Sequence, residues 1–106
     1  MKNHRLEEFK KGWFIGDFSP SILDLKSSEL AIKRYKAGDY EPLHHHKIAT
    51  EVTVIIEGCV EMNGKIFVKN DIIIIYPNES TDFKCLNDTV TCVFKNHSVA
   101  NDKYFG

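Results

Sequence analysis

From Glu51 to Lys95 the chain is one short β-branched or apolar run after another, each closed by a turn signal. Glu51 to Glu57 carries Val52, Thr53, Val54, Ile55 and Ile56, side chains that suit a pleated, half-buried surface. Gly58 ends that run. Cys59 to Met62 and Lys65 to Val68 flank Asn63-Gly64, the strongest short hairpin signal a sequence offers. Lys69-Asn70-Asp71 leads into Ile72 to Tyr76, and Pro77-Asn78-Glu79-Ser80 turns the chain again. Asp82 to Leu86 and Thr89 to Lys95 read as a last hairpin around Asn87-Asp88. No interior window repeats at helical spacing. Many short strands at a spacing of about 8–12 residues imply an all-β sandwich or barrel with antiparallel strands.

The first half of the chain fits the same plan. Residues 1–12 are polar and charged, with Leu6 and Phe9 the only large apolar side chains, and read as an N-terminal arm or a short helical turn. Trp13 to Phe18 reads as a first strand, broken by Ser19-Pro20-Ser21. Glu29 to Lys36 reads as a second, ended by Gly38-Asp39, and His44 to His46 as a short third. At 106 residues this is one domain, 1–106, large enough for one core.

Gly38, His44, His46, Glu51 and Gly58 carry the chemistry. Alternate residues of a strand share a face, so His44 and His46 project together, roughly 7 Å apart at the backbone, while His45 points away. Glu51 adds a hard anionic oxygen. Two imidazoles and one carboxylate leave positions open on a metal for water, substrate or O₂.

The same residues resemble a known family. Gly38-x5-His44-x-His46-x4-Glu51-x6-Gly58 is similar to the first motif of the cupin superfamily, with every position filled. Asn70-Asp71, Ile72 to Ile75 and Tyr76-Pro77-Asn78 resemble its second motif, and the resemblance covers about residues 30 to 95. It implies a cupin-type β-barrel, the jelly-roll-like double-stranded β-helix. It also implies a divalent metal (Fe, Mn, Zn or Ni) on His44, His46 and Glu51. The family's second motif supplies a histidine as fourth ligand, and that position falls on Thr81 here. Relatives of this kind include sugar and sugar-phosphate isomerases or epimerases and dioxygenases. The expected function is therefore metal-dependent chemistry on a small molecule, the alternative being a non-catalytic ligand-binding or sensor module.

Other residues are candidates for the pocket. Thr81 has the chemistry to hold a metal-bound water. Asp82 is one residue off the expected face, and turn stabilisation is its simpler role. One parity of Lys33, Arg34, Tyr35 and Lys36 faces the interior, where a cation would meet a carboxylate or phosphate; Arg34 is the candidate. Tyr40, Lys47 and Tyr76 are expected at the barrel mouth. Asp17, Glu41, Glu57 and Glu61 show no spacing that suggests acid–base catalysis.

Charge and cysteine content narrow the partners. A net charge of −1 gives no electrostatic case for nucleic acid or an anionic membrane surface. The longest apolar run, Ile72 to Tyr76, is far too short to span a bilayer, and no signal-peptide pattern follows Met1, so the expected location is cytoplasmic. Cys59, Cys85 and Cys92 read as reduced small hydrophobes, with Cys85 and Cys92 placed to face each other across the last turn. With Glu51 inward, Val52, Val54 and Ile56 face outward although apolar, as do two isoleucines of Ile72 to Ile75. A homodimer would cover that row, and so would Trp13, Phe14 and Phe18 of the same chain.

Overall fold

Ten strands form, most of them where β-branched or aromatic runs meet turn residues. In the computed structural model, which describes residues 1–106, they are β1 Trp13–Ile15, β2 Glu29–Tyr35, β3 Tyr40–His45, β4 Thr50–Glu57 and β5 Cys59–Met62, followed by β6 Lys65–Val68, β7 Ile72–Ile75, β8 Thr81–Cys85, β9 Thr89–Asn96 and β10 Tyr104–Phe105. Short 3₁₀ turns at Leu6–Glu8 and Lys10–Gly12 are the only helical segments. The strands make two antiparallel five-stranded sheets, ordered β1-β2-β9-β4-β7 and β10-β3-β8-β5-β6. The all-β antiparallel barrel expected from the sequence is what forms.

Alternation places the core. On β4, Thr53 and Ile55 are buried and Val52 and Val54 lie on the other face. Ile55, Val60, Met62, Ile75, Phe83 and Cys85 form one buried cluster, with Tyr35, Phe67 and Ile73 packed against it. Ile55 and Val60 are fully buried, each contributing about 1.5–3 kcal/mol of transfer free energy.

Turn chemistry matches the backbone. Asn63 and Gly64 both have positive φ (49° and 77°), the paired left-handed conformation of a tight two-residue hairpin, and β5 and β6 end on either side of them. Gly58 has φ +104°, and a Cβ there would stand 2.5 Å from the Asp88 carbonyl oxygen. It is required twice over, by its dihedral and by the backbone of the neighbouring turn.

Two expectations are corrected. β8 and β9 follow each other in sequence but lie in different sheets, so Asn87-Asp88 is a crossing between sheets and not a hairpin turn. The Asp88 carboxylate accepts a hydrogen bond from the Ala37 backbone N–H (2.9 Å), tying the crossing to the turn after β2. Consequently Cys85 is buried in the core while Cys92 lies on the outer face of β9, and all three cysteines are free. The first strand is shorter than expected, since Gly16, at φ +152°, follows Ile15 directly.

Apolar side chains cover the outside of the first sheet. Ile72 (64% exposed), Ile74 (49%), Phe94 (40%) and Ile56 (38%) share it with Val52 and Val54. Trp13 and Phe14 do not lie over them, because β1 extends the sheet at the β2 edge, and Phe18 sits beside Trp13 and Glu29.

Candidate functional site

A cavity of about 800 Å³ opens between the sheets, its floor shared with the core through Tyr35, Met62, Ile75 and Phe83. His44, His46, Glu51 and Thr81 all line it. His44 and His46 are buried (7% and 6% exposed) with ring centroids 5.9 Å apart at a near-perpendicular angle. His45 points away, as alternation requires, stacking on Tyr104 with its Nδ1 2.9 Å from the Gly106 oxygen.

The His44 ring is oriented by its own strand. Nδ1 stands 2.8 Å from the Pro42 carbonyl oxygen, which only accepts, so Nδ1 is the donor and Nε2 is left on the side of Glu41. Burial, with positive neighbours Lys95 and His44 adding to it, pulls His46 down to about 4, so its ring is neutral at physiological pH. Burial pushes Glu51 above the usual carboxyl value, against the pull of Lys95 and His44. These donors suit a divalent ion in kind: two imidazoles and a carboxylate in one buried space. They are not drawn to coordination spacing, since no three His, Cys, Asp or Glu side chains are placed to hold an ion.

Glu41 is the residue sequence reasoning missed. It stands three positions before His44, so strict alternation would set the two on opposite faces. The β3–β8 register slips between Glu41, opposite Phe83, and His44, opposite Thr81, which inserts one extra residue into β3. That bulge turns Glu41 into the cavity, its Oε2 3.9 Å from His44 Nε2. The readable signal was Pro42, which gives no ladder hydrogen bond and tends to sit at bulges.

Asp102 was missed too. Its carboxylate accepts hydrogen bonds from the backbone N–H groups of Lys47 (2.9 Å), Ile48 (3.1 Å) and Ala49 (2.9 Å). Burial pushes its carboxyl up, but the three backbone donors outweigh this and leave it below the usual value. The loop it grips joins His46 to Glu51, so Asp102 sets their spacing.

The remaining candidates divide. Thr81 is buried at the cavity wall, its hydroxyl donating to the Asp82 carbonyl oxygen (2.6 Å). Asp82 caps the hairpin by accepting from the Asn63 N–H (2.8 Å). Arg34 lines the cavity as expected but is exposed, whereas Lys33 and Tyr35, of opposite parity, are half-buried; the more deeply placed cation of β2 is Lys33. Burial pushes the Tyr35 hydroxyl well above its ordinary value and pulls Lys33 below its own. Tyr40 and Tyr76 are exposed and do not line the cavity, and Lys47 lies over the Tyr104 ring, 4.1 Å from its centroid. Leu6, Phe9 and Lys11 of the N-terminal arm do line it, a placement that twelve polar-rich residues did not announce.

No protein-family model matches the chain, and no curated protein does. Solved structures do. An uncharacterized conserved protein with a double-stranded β-helix domain from Klebsiella pneumoniae superposes with a TM-score of 0.71 at 16% identity, over 80% of this chain and 75% of that one. A DMSP lyase from Ruegeria pomeroyi gives 0.69 at 16% identity, over 83% of this chain and 47% of that one. A sugar phosphate isomerase of the cupin superfamily from Silicibacter pomeroyi gives 0.60 at 15% identity, over 67% of this chain and 51% of that one. By fold, then, the chain is a small cupin-type double-stranded β-helix. No helix is long and apolar enough to cross a membrane.

Proposed function

We propose that this protein is a metal-dependent enzyme that moves a proton on a small carbonyl compound, in the manner of a sugar or sugar-phosphate isomerase or epimerase. The observation that carries this reading is the gathering of His44, His46, Glu51 and Glu41 on one buried cavity. His44, His46 and Glu51 would hold a divalent ion. When bound, such an ion polarises a carbonyl and stabilises the negative charge that forms on its oxygen. Glu41 then supplies the base. Its carboxylate takes a proton from the carbon next to the carbonyl and returns it to the neighbouring carbon or the opposite face, so atoms and charge balance over the cycle. Thr81 lies opposite His44 across the strands and lines the same cavity. Glu41 favours proton transfer over the dioxygenase-like alternative, which needs no such base.

One observation favours the non-catalytic reading, in which the cavity only holds a ligand: the three donors do not stand at coordination spacing. Solvent-deuterium incorporation into aldoses and sugar phosphates, followed by NMR, separates the two. The metal-loaded wild type should exchange the proton next to the carbonyl, and Glu41→Gln should lose exchange while keeping its metal. Full exchange by Glu41→Gln would contradict the assignment of the base.

The reading includes a homodimer formed through the outer apolar face of the first sheet. It also includes a cytoplasmic location, which three free cysteines suit.

A further inference from the structure

Lys33 is a half-buried ammonium with no direct ion-pair partner in the protein. It faces the cavity from β2, opposite Thr91 of β9. It makes no ion pair; the nearest opposing charges, Glu41 and Glu51, belong to the proton-transfer and metal residues. Its Nζ lies 5.3 Å from the centre of the Trp13 ring, and Lys95 Nζ lies 5.0 Å from the same ring. Lys95 is already engaged, 3.5 Å from Glu29.

The charge of the cavity points the same way. Its lining carries five cationic side chains against three carboxylates, in a chain whose net charge is −1. A divalent ion would widen that excess. A cleft with an excess of one sign concentrates ligands of the other.

We propose that the cavity takes a small organic anion, its carboxylate or phosphate held by Lys33 beside Trp13, with the reacting end toward His44 and His46. This deepens the metal-dependent reading above by naming the substrate class, and rests on it only for which end reacts. Lys33 donates charge-assisted hydrogen bonds to the anion, and burial makes each stronger than at a surface. Lys95 adds field without losing Glu29. Glu41 and Glu51 repel the anionic group, which orients the molecule with its charge away from the site of proton transfer.

Trp13 is the only tryptophan of the chain, so its fluorescence reports on this place directly. The experiment titrates the full-length, metal-free protein with inorganic phosphate, lactate and lactamide, following Trp13 emission. Phosphate or lactate should produce a saturable change, and lactamide, which has the shape of lactate without its charge, should not. Which of the two anions binds tighter assigns phosphate or carboxylate. Lys33→Met should weaken anion binding at least about tenfold, a loss of about 1.4 kcal/mol. Lys33→Arg should restore most of it. An equal response to lactamide, no response to either anion, or unchanged affinity in a folded Lys33→Met variant would overturn the proposal. The lactate–lactamide comparison on the wild type holds even if Lys33→Met does not fold. The same titration on His44→Ala/His46→Ala separates the two readings, because anion binding there survives a failure of the metal site.

Discussion

The His44 imidazole and the Pro42 carbonyl are locked together by a 2.8 Å hydrogen bond within one strand, and this fixes which ring nitrogen faces the cavity. Pro42 thus acts twice, by setting the tautomer of His44 and by placing the bulge that turns Glu41 inward. Pro42→Ala restores a backbone N–H and the option of regular alternation. Glu41 should then rotate away from His44. Proton exchange should fall toward that of Glu41→Gln, with metal content little changed. Equal exchange in Pro42→Ala and wild type would separate the bulge from the chemistry.

His45 tests the parity of the three histidines. It packs on Tyr104 and reaches the Gly106 oxygen, so it holds β10 against β3 and takes no part in the cavity. His45→Ala should cost about 1 kcal/mol in a denaturant melt and leave metal binding unchanged. A loss of metal as large as that from His44→Ala would mean the strand register is wrong.

Asp102 gives the fold a pH dependence. Its carboxyl is held below its ordinary value of 3.8, so it stabilises the folded state at all pH above that value. The stabilisation is lost as pH falls through the depressed folded value, where the carboxylate takes up a proton and releases the loop from 47 to 49. Asp102→Asn should be less stable than wild type at pH 7, with the gap narrowing in strong acid. A gap that stays constant down to pH 2 would show that ionisation is not what binds the loop.

What was legible in the sequence followed from local rules. Asn63-Gly64 located β5 and β6 to the residue because no other dipeptide so readily takes two positive φ values. Alternation sent His44 and His46 to one face and His45 to the other, and it sent Val52 and Val54 outward. What was not legible depended on distant partners. The β8 and β9 strands joined different sheets because each found its neighbours elsewhere in the chain. Lys33 lies deeper in the cavity than Arg34 because the β2–β9 register decides which parity faces inward. Asp102 lies more than fifty residues from the backbone it grips, and no spacing rule links them.

The outer face of the first sheet predicts assembly. Ile56, Ile72, Ile74 and Phe94 form an exposed apolar patch that the chain leaves uncovered. Two copies pairing through it would bury an area on the order of 1,200 Å² or more. Light scattering should give twice the chain mass of 12.2 kDa, and Val54→Lys should return the monomer. A mass of one chain that does not rise with concentration would contradict this pairing.

Core truncation sets the scale for these effects. Ile55 is fully buried at the centre of the cluster, and Ile55→Ala should cost about 2–5 kcal/mol. A loss under about 1 kcal/mol would show that the cavity above it collapses to fill the space.

Metal content is the most direct measure of the central claim. The wild-type protein, purified without added metal and then equilibrated with Mn²⁺, Fe²⁺, Zn²⁺ and Ni²⁺ in turn, should retain close to one ion per chain by elemental analysis. His44→Ala/His46→Ala should retain none while keeping the wild-type circular dichroism spectrum. A wild type that holds no ion, or a folded double variant that holds as much as wild type, would contradict a metal centre on His44, His46 and Glu51.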